Sequence, residues 1–320
     1  MKAIQFKSFG APEVLEYLEL PTPQRDSDTA IVQIKSASVN PSDVKNVSGH
    51  FDHTQPPRIP GRDFSGVVVG GPAQWLGVDV WGTGGDIGFT LDGTHAEFIK
   101  IPVRALARKP ANLSHEQASA IGVNFVVAWL GTVEYAKLAP GETIAVIGAG
   151  GGVGGAVTQI AKARGSRVIG INRDALLAGS PAARLVDDFV PFDDATVERV
   201  RALTGGGVDV VYDAVGGVAF ETALQLVKRR GRVVEISATG RRRVEFDVID
   251  FYHNETQLLG TDSAKLGVAE SARFMSALVE GFESGQFEAP VIAQRYTLEQ
   301  ARQAYEAVAA GTAGRVVITM

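Results

Sequence analysis

The chain has 320 residues, 45% of them hydrophobic and 21% charged, with a formal net charge of −5 and no cysteine. That length supports a sizeable core and two domains, and the acidic balance argues against a nucleic-acid partner, which needs concentrated cations. The lack of cysteine excludes disulfides and every thiolate metal site, and no run approaches the roughly 20 apolar residues of a membrane span.

The N-terminal MKAIQFKSFG lacks the apolar region of a signal peptide, so a cytoplasmic enzyme is expected. Up to about residue 117 the chain reads as β-rich. Residues 30–34 and 66–69 are strand-like, proline and glycine punctuate the intervals, and 95–101 follows an Asp92-Gly93 turn. From about Ser114 the pattern changes to helix–strand alternation. Residues 144–147 form the short apolar run of a buried parallel strand. Ala149-x-Gly151-x-x-Gly154 follows at the spacing of a dinucleotide fingerprint, with Ala149 in place of the first glycine. A small residue permits the tight turn, Gly151 lets backbone approach a pyrophosphate, and Gly154 lets the helix close onto the strand. Gly151, Gly152, Val153 and Gly154 would then carry the pyrophosphate at the positive end of a helix beginning near Val153. Val157, Ile160 and Ala161 recur at helical spacing, Gly165 supplies a stop, and 168–171 rebuilds a strand.

That second strand ends in Asn172-Arg173-Asp174. An acidic residue about 20 positions beyond the glycines binds the ribose of NAD, whereas a cation there pairs with the 2′-phosphate of NADP. The fork of Arg173 matches phosphate geometry, which favours NADP(H). Asp174 would become the ribose ligand if the register slipped by one residue. A surface Arg173–Asp174 pair with no ligand is the structural alternative. Further on, 208–212 leads into Asp213, a helix is expected near 219–228, and strands at 232–236 and 258–260. Helices near 269–284 and 298–310 and a strand at 315–319 complete the chain. This alternation indicates a doubly wound parallel sheet. The nucleotide-binding domain is expected at 118–263, inserted between 1–117 and 264–320, which form the other domain. The ligand cleft is expected between the two.

The segments VNPSDVKNVSGHF (39–51), IPGRDFSGVV (59–68), DVWGTG (79–84), GTHAEFIKIP (93–102), DAVGG (213–217), GRVVEIS (231–237) and GRVVITM (314–320) occur in order around the fingerprint. In these, and over essentially its whole length, the chain resembles the medium-chain dehydrogenase/reductase superfamily. The resemblance implies an α/β protein: a Rossmann-type doubly wound parallel sheet inserted in a β-rich, GroES-like catalytic domain. Zinc-dependent members use a cysteine and a histidine in the N-terminal part and carry Gly-His-Glu where this chain has Gly61-Arg62-Asp63. Arginine cannot ligate a metal, and the five histidines show no ligand spacing, so no metal site is expected. The resemblance is to the zinc-independent branch, the quinone oxidoreductases and enoyl-thioester reductases. It implies NADPH-dependent hydride transfer to a small electrophilic acceptor, a quinone or a conjugated enone, by an enzyme that is commonly a homodimer. A trans-2-enoyl thioester reductase and a catalytically idle NADPH-binding sensor or scaffold are the alternatives.

Carried over residue by residue, Asn40 would bond near the nicotinamide or its ribose, against an Asx turn before Pro41. Asn124 would do the same or cap its helix. Asn172 and Arg173 would meet the adenosine ribose and its phosphate. Backbone groups of Asp213, Ala214, Val215 and Ser237 would flank the nicotinamide. Arg315 would approach the cofactor, against a strand-end surface charge. The enoyl-thioester reductases carry a proton-donating tyrosine where this chain has Phe51. That leaves Lys45 and Tyr252 as candidate catalytic groups, with a solvated loop lysine as the alternative reading of Lys45.

Overall fold

A computed structural model describes residues 1–320. Its contacts divide the chain into two units, Met1–Val126 with Ser263–Met320, and Val127–Asp262. The chain opens with an antiparallel pair, β1 (Lys2–Phe6) and β2 (Leu15–Glu19). Next come β3 (Thr29–Val39), α1 (Pro41–Val47), β4 (Asp63–Gly70) and β5 (Asp79–Gly82). β6 (Phe98–Pro102), β7 (Ala107–Arg108) and α2 (His115–Ser119) complete this first stretch. β3 is long because its two halves serve different partners: Thr29–Gln33 pairs with β6, and Ser36–Val39 with the C-terminal strand. Its alternation puts Ser36, Ser38 and, just beyond its end, Asn40 at successive same-face positions, and all three are buried. A strand face that is both buried and polar must find hydrogen-bond partners.

α3 (Gly122–Trp129) carries the chain into the second unit and continues as a π-helical turn, Leu130–Tyr135. Only glycine fits at 131, since an added Cβ would lie 2.5 Å from the Tyr212 ring and 2.8 Å from Val234. Then follow β8 (Thr143–Ile147), α4 (Gly152–Ala163), β9 (Arg167–Asn172), α5 (Pro181–Leu185) and β10 (Asp188–Pro191). The unit closes with α6 (Thr196–Thr204), β11 (Val208–Asp213), α7 (Phe220–Leu226), β12 (Val227–Glu235), α8 (Val248–His253) and β13 (Gln257–Gly260). Its six strands run β10-β9-β8-β11-β12-β13, every neighbouring pair parallel. β8, β9 and β11 carry apolar cores at 144–147, 168–171 and 210–212 because both faces are covered. On one face Ile147, Ile171, Val211 and Val233 pack with Val200 of α6 and Ala223 and Leu226 of α7. On the other, the Tyr212 hydroxyl donates to Val127 O at 2.9 Å. Strand order reverses between β8 and β11, the place where such sheets take their ligands.

α9 (Val268–Glu283), β14 (Ile292–Thr297), α10 (Ala301–Ala309) and β15 (Arg315–Thr319) return the chain to the first unit. There the sheet order is β14-β15-β3-β4-β5-β7, with β6 on β3. The first unit runs past residue 117 to Val126 because α2 lies on β3 and β4 of that unit. The helix signal at Ser114 therefore marks a cover of the β-rich unit and not the start of the nucleotide unit. β12 likewise begins at Val227, earlier than the 232 expected, with Arg230 at φ +65° in its first half.

Candidate active site

In the second unit the loops at the carboxyl ends of β8, β9, β11 and β12 come together. After β8, Gly148 adopts a φ of +82°, and Gly151 sits in extended conformation at the N-cap of α4. A Cβ at Gly154 would stand 2.1 Å from Gly148 O, so α4 rests directly on the turn. The first amide of α4 with an acceptor is Gly155 N, bonded to Gly151 O at 2.9 Å. The amides of Gly152, Val153 and Gly154 have none and point out of the helix start, with no acidic residue in that first turn. Free amides and the helix dipole together suit an anion, and these residues fit the pyrophosphate of a dinucleotide. Asn172, at the end of β9, lies against the turn: its side chain would be 3.0 Å from a Cβ at Gly150, and its Nδ2 donates to Asp174 O at 2.9 Å. Arg173 is exposed and its guanidinium has no partner, so the alternative surface pair with Asp174 does not form.

Across the switch point, Asp213 ends β11 fully buried. Its Oδ1 accepts from Val215 N at 2.9 Å and Gly216 N at 2.8 Å, folding the 214–216 loop back on the strand. Gly216, at φ +61°, bridges to Ala238, and Thr239 N donates to Val215 O at 3.0 Å. Ala214, Val215 and Ser237 are thereby gathered at one edge, and a Cβ at Gly148 would meet Val215 at 3.1 Å. Glu235, the last residue of β12, is the register partner of Asp213. Asp213 Oδ2 and Glu235 Oε1 are both buried without a hydrogen-bond partner, and burial, reinforced by the Asp213 charge, pushes the Glu235 carboxyl far above its ordinary value. Sequence reasoning passed over Glu235, although a lone acid ending the apolar Val233-Val234 run was a signal.

In the first unit Ser36 of the buried polar face of β3 pairs with Ser119 Oγ at 2.8 Å, and Ser38 and Asn40 are satisfied by Asp63 and Arg315. Asp63 Oδ2 accepts from Ser38 Oγ and Asn40 Nδ2, both at 3.0 Å, and its Oδ1 accepts from Val123 N at 2.9 Å. Arg315, 6% exposed, donates to Ala120 O (3.0 Å), Ser38 Oγ (2.8 Å) and Asn40 Oδ1 (2.7 Å), and stands 3.6 Å from Asp63. Arg315 is therefore buried and not a strand-end surface charge, with its Nε and Nη2 held in this cluster. Both polar atoms of Asn40 are held in the same way, leaving one amide hydrogen over. Asn124 is the third residue of α3 and reaches back to Ala120 O at 3.5 Å. The helix-start amide of Val123 is taken by Asp63 and not by Asn124.

Beneath the cluster, His95 Nε2 faces Ser38 O at 3.2 Å, and a carbonyl only accepts, so Nε2 carries the hydrogen and the Tyr305 hydroxyl donates to Nδ1 at 3.0 Å. Burial pulls His95 down to about 4 and pushes Asp43 up to about 7, the nearby Asp63 charge also raising Asp43. Lys45 is exposed on α1 with an unpaired ammonium. Tyr252 is 56% exposed on α8, against the His253 ring. The helix ends at Asn254, whose side chain bonds the carbonyls of Val227 and Lys228. Tyr252 thus belongs to the amino-terminal end of β12, opposite the gathered loops.

Two family profiles match the chain, "Alcohol dehydrogenase GroES-like domain" over 26–111 and "Zinc-binding dehydrogenase" over 152–280. A zinc-type alcohol dehydrogenase-like protein of Schizosaccharomyces pombe is 35% identical, covering 100% of this chain and 97% of its own length. A quinone oxidoreductase of Lama guanicoe is 29% identical, covering 100% of this chain and 98% of its own. The solved structure of a Pseudomonas syringae quinone oxidoreductase superposes with a TM-score of 0.85 at 26% identity, covering 100% and 99% of the two chains. The fold and the gathered loops define a two-unit nucleotide-binding oxidoreductase. The chain belongs to the medium-chain dehydrogenase/reductase superfamily.

Zinc, which some of these names carry, does not fit the residues present. Arg62 is 3% exposed and donates to Gly84 O at 2.8 Å and Ser263 O at 3.2 Å, with its guanidinium 5.5 Å from the Phe89 ring centroid. With no cysteine in the chain, no group of three His, Asp or Glu side chains lies together as a ligand set. No helix is long and apolar enough to cross a membrane.

Proposed function

We propose that the protein is a cytoplasmic, homodimeric reductase that uses NADPH to deliver hydride to a quinone or an α,β-unsaturated carbonyl compound without zinc. The observation that carries this reading is the start of α4, where three free amides on a glycine-built turn leave room for a pyrophosphate. When bound, the nicotinamide supplies the hydride. With no Lewis acid to acidify an alcohol, the acceptor has to be electron-poor already. Quinones and conjugated enones are, and their developing oxyanion or enolate needs only hydrogen bonds.

In this reading the amides of Gly152, Val153 and Gly154 hold the pyrophosphate, and Asn172 keeps the turn in shape beneath it. Asp213, Ala214, Val215 and Ser237 present backbone groups to the nicotinamide half. Asn40 and Asn124 serve the nicotinamide or its ribose, with Asn40 held in one orientation by Arg315 and Asp63. Lys45 offers an unpaired ammonium to an anionic part of the acceptor. Tyr252 has no part in it. The homodimer is supported by the open edge of β13 and by exposed Leu258, Val248 and Ile249 on β13 and α8.

Arg173 takes the 2′-phosphate, as a partner-free guanidinium at the end of β9 can. Arg173→Ala should therefore weaken NADPH binding by about 1.5–3 kcal/mol, the range of charge-assisted bonds, and leave NADH nearly unaffected. Calorimetric titration of both cofactors checks this, and equal losses for the two would make Arg173 a structural residue.

A further inference from the structure

We propose that Glu235 is a positioning residue for the nicotinamide half of the site: as a neutral acid it donates a hydrogen bond to the Asp213 carboxylate, and this shared proton fixes the loops 214–216 and 237–239. The inference rests on the nicotinamide reading above. Its geometry does not. Asp213 and Glu235 are opposed in register on adjacent parallel strands, and Asp213 Oδ2 and Glu235 Oε1 are buried with no hydrogen-bond partner. Two ionised carboxylates are acceptors only, so a proton kept between them gives both orphaned oxygens a partner. The proton belongs on Glu235, because Asp213 Oδ1 already accepts two amides, which favours its ionised form.

No cation competes for either carboxyl. β13 carries no ionisable side chain, and α7 carries only Glu221. Arg241, Arg242 and Arg243, in the loop after β12, are exposed. Arg232 and Asp209, toward the other end of the paired strands, are taken by Glu142 and Lys228. The one charge acting on Glu235 is that of Asp213. The pair also sits where it can matter. Asp213 Oδ1 ties down Val215 and Gly216, Val215 O receives Thr239 N, and Gly216 bridges to Ala238. Losing the shared proton would set two like charges against each other under both loops.

Glu235 holds its proton more tightly folded than unfolded, so its contribution is complete below the ordinary glutamate range and is lost as pH rises through the folded value. The test is the NADPH dissociation constant between pH ~7 and ~9.5, with thermal melts over the same range as a cofactor-free arm. The native protein should lose about tenfold or more in affinity and melt progressively lower. Glu235→Gln, whose amide still donates to Asp213 but cannot ionise, should keep the neutral-pH affinity within about threefold and flatten both alkaline limbs. Asp213→Asn should flatten them too, since an amide at 213 would donate to an ionised Glu235. Glu235→Ala should weaken binding already at neutral pH. An alkaline limb shared unchanged by both conservative variants, or no limb in the native protein, would overturn the proposal. Failure of the native protein to bind either nicotinamide dinucleotide at neutral pH would instead overturn the reading beneath it.

Discussion

Gly154→Ala should abolish most of the affinity for a nicotinamide dinucleotide and lower stability by about 2 kcal/mol. The added Cβ would stand 2.1 Å from Gly148 O and 2.7 Å from Ala149 Cα. Both are backbone atoms, so no side chain can swing aside, and α4 would have to lift from the end of β8. Two effects oppose each other. Alanine is favoured over glycine inside a helix by about 1 kcal/mol, whereas overpacking costs about 1–3 kcal/mol and sits at the upper end when backbone is struck. The clash wins, and its displacement falls on the amides of Gly152 and Val153 proposed to bind the anion. Gly155→Ala is the internal control, because nothing lies within 4 Å of a Cβ there. It should gain up to about 1 kcal/mol and bind cofactor normally. Urea unfolding and NADPH titration of both variants check the pair. Native-like binding by Gly154→Ala would mean that the helix does not need this close approach.

Arg315→Met should cost about 3–5 kcal/mol, the range for breaking a buried ion pair from one side. The lost groups are bonds to Ala120 O, Ser38 Oγ and Asn40 Oδ1, while Asp63 stays buried with its charge. Ser38, Asn40 and the Val123 amide still donate to that carboxylate, which keeps the loss toward the lower end. Combining Arg315→Met with Asp63→Asn removes the stranded charge and should recover part of the stability. Both single variants should also loosen Asn40, so catalysis should fall further than cofactor affinity. Denaturant unfolding of the double-mutant cycle is the measurement, and a loss under about 1 kcal/mol for Arg315→Met would return it to the status of a surface charge.

The parts legible in the sequence are those built from neighbours along the chain. The fingerprint at 149–154 fixes the turn, the free amides and the helix after them, because strand, turn and helix are contiguous. The end of β9 is equally local, and Arg173 stands where the spacing places it. The buried cluster was opaque for the opposite reason. Arg315 meets Ser38, Asn40 and Ala120, segments brought together only by β15 pairing with β3. Its commitment to that cluster cannot be read from a lone basic residue at a strand start. Asn124 reads as a helix cap, yet the group that takes the helix-start amide is Asp63, 60 positions earlier in the chain. Glu235 acquires its meaning only once register sets it against Asp213. Tyr252 was a candidate by residue type alone, and the fold puts α8 at the wrong end of the strands.

The most direct test of the account is to follow NADPH absorbance with 1,4-benzoquinone, a conjugated enone and crotonyl-CoA in parallel, with and without a metal chelator. NADPH should be consumed with the quinone or the enone, more slowly with the thioester, and at the same rate when chelator is present. Tight NADPH binding with no turnover of any acceptor, or turnover that the chelator abolishes, would contradict it.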